Sequence, residues 1–240
     1  MLDGNRMRGG FTYLPVALNL DGRSAIVIGG GEAACLKAGY LSDFGIQTTV
    51  LAQPEGQLDP RLEVWNREGQ ISLLREQYSP GRLDGHWLAV ISTGDRGLDR
   101  RVAADAHARH LLVNIVDDPQ HCDFFASGYV RRGTVSIAVN TGGVSPGFSA
   151  ALRERIDDLF GFELEEHLRN YTQWREQVHA GVRDARAREC LWRQLRAAGL
   201  YRVLEDEGET AAGAMVQSYI KKFAAQPTGD RSSVDTNCSA

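Results

Sequence analysis

The sequence predicts an α/β protein: a Rossmann-like parallel sheet domain, followed by a β-hairpin region and a small C-terminal helical domain. Three observations predict it. Short apolar strands alternate with amphipathic helices through the first half of the chain, which implies a parallel sheet covered on both faces. A glycine turn at 29–34, "GGGEAA", separates the first such strand from its helix. After Pro119 the alternation stops: "GYVRRGTVSIAVNT" reads as a hairpin, and from Ser149 the period becomes helical.

Each element has its own signal. Residues 1–12, rich in Gly and charge, are expected to form a flexible arm. "YLPVALNL" sets apolar positions around a proline, and "DGR" marks a turn. "SAIVIGG" is β-branched and apolar, as a strand buried on both faces requires. "EAACLKAGYLSDF" is helical, with Ala34, Leu36, Ala38 and Leu41 as its apolar or small set and Gly45 as its stop. "IQTTVLA" supplies the second strand and completes a βαβ unit of about 30 residues. "QISLLRE" and "HWLAVIST" are further strands, "GLDRRVAADAHARH" an amphipathic helix, and "LLVNIVDD" a strand ending in acids. The hairpin is expected to turn at "RRG". Beyond it, Leu152, Ile156, Leu159, Trp174, Val178, Leu191 and Leu195 fall at core spacing, and a last helix covers 210–223. The resulting division is 13–116 for the dinucleotide domain, 117–150 for the hairpin region, 151–224 for the helical domain, and 225–240 for a disordered tail.

Composition narrows the function. The 240 residues carry a net charge of −4, with 42% hydrophobic and 24% charged residues, as in an ordinary globular protein. No global basic field attracts nucleic acid or an anionic membrane, so an acidic ligand must be met by local cations. The four cysteines (Cys35, Cys122, Cys190 and Cys238) form no C-x-x-C pair, which argues against a disulfide framework or a zinc knuckle and fits reduced thiols. "MLDGNRMRGG" lacks the apolar core of a secretory signal, and no run is long and apolar enough to span a bilayer. A cytoplasmic protein is expected.

Ligands of parallel sheets sit beyond the carboxyl ends of the strands, here "GGGEAA", "LAQP", "STGD" and "NIVDDP". The first fits G-x-G-x-x-A at Gly29, Gly31 and Ala34, where the helix N-terminus offers N–H groups and a positive dipole end to a pyrophosphate. The ribose-binding acid that usually closes the second strand is replaced by Gln53, and no arginine stands there for a 2′-phosphate, which points to NAD. Asp117 and Asp118 at "NIVDDP" suit either a general base or a turn before Pro119. "PQHCDF" contains His121, Cys122 and Asp123 but matches no established metal-ligand spacing; no metal site is expected. His107 and His110 read as one solvated helical face. "NTGGVSPG" exposes backbone N–H groups at Gly142 and Gly143 and hydroxyls at Thr141 and Ser145, with Arg131, Arg132, Arg153 and Arg155 nearby. It suits either a polyanion or an ordinary connection into a helix that starts at Pro146.

Taken in order, "LPVALNLDGRSAIVIGGGEAACLKAGYL", "WLAVISTGD", "NIVDDPQHCDFF" and "VRRGTVSIAVNTGGVSPGFSAALRERI" resemble the siroheme synthase N-terminal family, closely over 13–156 and more loosely to Phe223. The resemblance implies NAD-dependent oxidation of precorrin-2 to sirohydrochlorin, with ferrous iron as a further substrate where ferrochelatase activity is present. It implies an intertwined homodimer and an acidic tetrapyrrole ligand. The family's acid–base aspartate maps onto Asp117. Its cofactor contacts map onto Gly29, Gly30, Gly31, Glu32, Ala33, Gln53, Pro54, Ser92 and Thr93. Its "TGG-x-SP" loop maps onto Thr141 to Pro146, near the tetrapyrrole, so that 117–150 becomes the dimerisation and substrate region. The candidate substrate-binding residues are then Asn114, Arg132, Thr141, Gly142, Gly143, Ser145 and Arg153, with Arg155 as the alternative to Arg153. Two departures stand out: Ser127 where a proline is expected, and Gly94 where an additional acid is common. The second removes one carboxylate that would assist metal insertion. The competing readings are a dehydrogenase without chelatase activity, an NAD-sensing module without catalysis, and a degenerate structural member.

Overall fold

The structure, a computed structural model, describes residues 13–142 and 144–225. The expected arm, tail and Gly143 lie outside the described residues, apart from Ala225. Five parallel strands form one sheet in the order β3-β2-β1-β4-β5: β1 (Ser24–Ile28), β2 (Gln47–Ala52), β3 (Ser72–Arg75), β4 (Leu88–Ile91) and β5 (Leu112–Ile115). β1 is central, with Ile28 opposite Leu51 of β2 and Ile91 of β4. The crossovers reverse direction there, at the switch point where such sheets bind ligands.

The alternation of β1 assigns its side chains to two cores. Ala25 and Val27 pack with Ala34, Cys35, Ala38 and Leu41 of α1 (Glu32–Asp43) and Leu62 of α2 (Pro60–Arg67). Ile26 and Ile28 pack with Val102, Ala103 and Ala106 of α3 (Arg96–His107) on the opposite face. Both faces of β1 and β4 are thus dry, as their unbroken apolar runs demand.

Several expectations need correction. Leu36 is 59% exposed, because the sheet-facing stripe of α1 runs through Ala34, Cys35, Ala38 and Leu41. His110 lies beyond α3 in a left-handed conformation and shares no helical face with His107, which pairs with Asp123 at 2.9 Å. Cys35 and Cys122 are free thiols.

The described residues divide into two compact units. The first holds 13–128 and 140–149. The second holds 129–139 and the chain from Ala150, with most of the hairpin β6 (Gly128–Arg132) and β7 (Val135–Val139). The hairpin turns at Gly133 and Thr134, one step later than expected, since Gly133 takes the left-handed φ of 57° and both arginines stay in β6. α5 (Glu163–Gly181), α6 (Ala185–Ala197), α7 (Leu200–Glu207) and α8 (Glu209–Ala224) enclose a second core around Trp174, Val178, Leu191, Leu195, Leu204, Val216 and Phe223. α4 (Pro146–Leu159) differs: none of its residues is buried, and Leu159 is 71% exposed.

Candidate functional site

The ends of all five parallel strands of the first unit open into one cavity of about 450 Å³. Each ladder runs one residue past its strand: Gly29 N–H donates to Leu51 O (2.9 Å), Ser92 N–H to Ile28 O (2.8 Å), Val116 N–H to Ile91 O (2.9 Å) and Glu76 N–H to Ala52 O (3.0 Å). The chain therefore leaves the sheet at nearly one level, and the connecting loops form a rim.

The glycine turn is the floor of this rim. Gly29 has φ 137°, and a Cβ there would stand 2.1 Å from the carbonyl oxygen of Ser92. At Gly30 a Cβ would meet Gln57 O at 2.6 Å and Ala52 Cβ at 2.8 Å. The backbone thus threads between β4 and the loop after β2, delivering α1 with Gly31 as its N-cap and no side chain capping it. The first N–H groups of α1 and its dipole are left for an anion. Glass-tight backbone passage, uncapped helix end and cavity together fit the diphosphate of a dinucleotide.

A second wall is built by the β4–α3 loop. Asp99 is 4% exposed, and its Oδ1 accepts from Thr93 N–H (3.1 Å) and from the Thr93 hydroxyl (2.6 Å). Asp95 caps α3 through the N–H groups of Gly97 and Leu98. Arg96 reaches across to donate to the Asp117 carbonyl at 2.9 Å, tying this loop to the end of β5. Asp117 itself has φ 59°, a left-handed conformation uncommon outside glycine though tolerated by Asp. It lines the cavity, its side chain is not spent on a cap, and it is exposed.

Its neighbour Asp118 is occupied instead. His121 Nδ1 lies 2.8 Å from it, with Arg96 and Arg100 at 3.8 and 4.0 Å. The His121 hydrogen bond and these cations hold its carboxyl below the usual range. Asp123 accepts from Val113 N–H and pairs with His107, while Cys122 Sγ accepts from Ile115 N–H. The "HCD" triplet is consumed in fastening the loop after β5. Burial pushes the Lys37 ammonium below its ordinary value, and Cys122 and Asp117 oppose that shift. Lys37 therefore stands in the electrostatic reach of Asp117.

The cavity gathers Gly29, Gly30, Gly31, Glu32, Ala33, Gln53, Ser92, Thr93 and Asp117 from the expected residues. Pro54 is outside the lining; its carbonyl accepts from Arg75. Asn114 is 5% exposed and donates to Phe124 O at 2.9 Å, so it braces the β5 loop from inside. The second glycine loop closes on itself: Gly142 N–H donates to Asn140 Oδ1 (2.6 Å), Ser145 N–H to the Thr141 hydroxyl (3.3 Å), and Phe148 N–H to the Ser145 hydroxyl (3.3 Å). Asn140 also donates to Ser127 Oγ at 3.2 Å, which gives the residue in place of proline a partner. None of Thr141, Gly142 and Ser145 lines the cavity. In the second unit Arg132 is taken up by Asp157 (2.7 Å), the Phe160 carbonyl (3.0 Å) and the Phe162 ring. Arg153 lies 3.8 Å from Glu154.

Gln57, Glu76, Tyr78, Arg96 and Asp99 also line or brace the cavity and were not singled out from the sequence. Asp99 had a signal, four residues after the capping Asp95. The others come from neighbouring strands and loops and had none.

Residues 16–128 match the family described as "Putative NAD(P)-binding". The chain is 33% identical over 182 residues to a siroheme synthase of Photorhabdus laumondii, covering 76% of this chain and 38% of that protein. It is 34% identical over 190 residues to siroheme synthase 3 of Aeromonas hydrophila, covering 78% and 39%. It thus spans about two fifths of the length of these curated relatives. Among solved structures, the precorrin-2 dehydrogenase SirC shares the fold, with a TM-score of 0.56 at 21% identity over 88% of this chain and all of that one. With the glycine turn and the strand order, the chain has a dinucleotide-binding fold and is similar to siroheme synthases over about three quarters of its length.

Proposed function

We propose that this protein oxidises precorrin-2 to sirohydrochlorin with NAD as the acceptor, in the cytoplasm and as a homodimer. The observation that carries the reading is Asp117: a left-handed aspartate in the same cavity as the uncapped helix and the glycine turn. A nicotinamide bound there supplies the hydride acceptor. The work left to the chain is positional and protonic. Gly29 to Ala33 hold the diphosphate, the Thr93–Asp99 pair fixes the facing wall, and Arg96 pins the Asp117 backbone. An Asp117 carboxylate oxygen receives the proton that leaves with the hydride. Lys37 adds a half-buried cation to the same neighbourhood. The name of SirC and those of the siroheme synthases support the substrate.

Dehydrogenation without metal insertion is the favoured form of this reading. Gly94 lines the cavity where a further carboxylate would otherwise stand, so Asp117 has one fewer acid for company. Ferrous iron remains a substrate to be tried. The NAD-sensing and degenerate readings leave Asp117 without a task.

Purified protein, NAD and enzymatically made precorrin-2 should yield NADH together with the spectrum of sirohydrochlorin. Asp117→Asn should lower turnover by about 10²–10⁴-fold, the usual contribution of a general base, while the affinity for NADH stays within about threefold. Absence of NADH formation by the unaltered protein would sink the proposal. Ferrous or cobaltous ion added to the product then tests chelation.

A further inference from the structure

Gln53 follows β2, where a dinucleotide fold ordinarily places the acid that reads the adenosine ribose. The missing carboxylate is found one strand outward. β3 runs parallel to β2 with Arg75 opposite Ala52, and Glu76 N–H donates to Ala52 O at 3.0 Å. Glu76 therefore stands level with the end of β2, and it lines the same cavity as Gln53 and the glycine turn. Its side chain is held rather than loose: Arg82, on the short 3₁₀ turn Pro80–Leu83, donates to Glu76 Oε2 at 2.7 Å and ion-pairs with the other oxygen. The guanidinium of Arg75 is engaged by the Pro54 carbonyl. This end of the cavity thus holds one carboxylate, and Arg82 is the cation that holds it.

We propose that Glu76 is the specificity-determining residue for the dinucleotide, accepting the ribose hydroxyls of NAD and repelling the 2′-phosphate of NADP. The assignment rests on the dinucleotide reading of the cavity given above. An ionised carboxylate offers about four acceptor sites, so the pair with Arg82 leaves room for ribose hydroxyls. A 2′-phosphate brings a like charge into a partly desolvated corner, where repulsion is weakly screened. Removal of the acid reverses the balance: Arg82 loses its partner, and a freed guanidinium fork suits a phosphate.

The test is equilibrium binding of NADH and NADPH to the full chain, read by ligand fluorescence, for the unaltered protein, Glu76→Gln and Glu76→Ala. The unaltered protein should favour NADH by at least about tenfold, the worth of one charge-assisted hydrogen bond. Both variants should bind NADH about tenfold more weakly and NADPH more tightly, with the gain lost again in Glu76→Ala/Arg82→Ala. A ratio of the two affinities unmoved by either variant overturns the role of Glu76 and leaves the dinucleotide site standing. Binding of neither nucleotide to the unaltered protein overturns the site itself, and this assignment with it.

Discussion

Asp99 shows how a single buried carboxylate can hold a wall of the cavity. Nearly sequestered from water, it takes two hydrogen bonds from Thr93 on one oxygen. Asp99→Ala strands the Thr93 N–H and hydroxyl and should cost about 1–3 kcal/mol in urea unfolding. The loosened loop should also weaken NADH binding. Asp99→Asn, which keeps an acceptor oxygen, should lose less on both counts; equal losses would count against this account. At this scale the sequence was legible where function is local. The spacing of Gly29, Gly31 and Ala34 is itself the turn that threads between Ser92 and Gln57. Asp117 was legible only as an acid at a strand end, since its left-handed φ is a property of the loop. Glu76 was invisible as a ligand-side residue because β3 reaches the end of β2 through sheet pairing, more than 20 residues along the chain.

The elements were mostly readable, and the one overlooked helix had its signals in place. Asp59 and Pro60 open α2 in the order that suits an N-cap and first turn, and Asp59 Oδ1 accepts from Arg61 N–H at 3.0 Å. The side-chain and backbone hydrogen bonds from Arg61 hold the Asp59 carboxyl down to about 2. That is below the value of an unfolded aspartate, about 3.9. The cap therefore contributes its full stability above pH ~4 and loses it as pH falls toward 2. Circular dichroism of Asp59→Asn across that window should show a shallower acid limb than the unaltered protein. The hairpin turn was misplaced by one step because "RRG" places its glycine correctly but not the strand around the arginines. Arg132 is an instructive miss of a different sort. A cation beside a polar loop suggests an anion, yet its guanidinium is absorbed by the end of α4 and by Phe162.

For the whole molecule, helical period promised a buried stripe along α4, and none of its residues is buried. Periodicity reports which face is apolar and is silent about what covers it. Phe148 and Leu159 on α4 and Phe162 just after it are 58%, 71% and 84% exposed, and the β6–β7 sheet has no third strand among the described residues. A second copy of the chain is the cover required by the proposed homodimer. Sedimentation of the full chain should give twice the monomer mass, and Phe148→Asp/Phe162→Asp should halve it; a monomeric unaltered protein would remove the homodimer from the proposal. The division into units adds a matter of timing. All residues lining the dinucleotide cavity precede Pro119, whereas 140–149 join the first unit only after the hairpin has been made. As chains emerge from synthesis N-terminus first, a nascent molecule can present its nucleotide cavity before its helical unit exists. Cellular dinucleotide would then act as a template that steadies the half-made chain, by the mass action with which any ligand favours the state it binds.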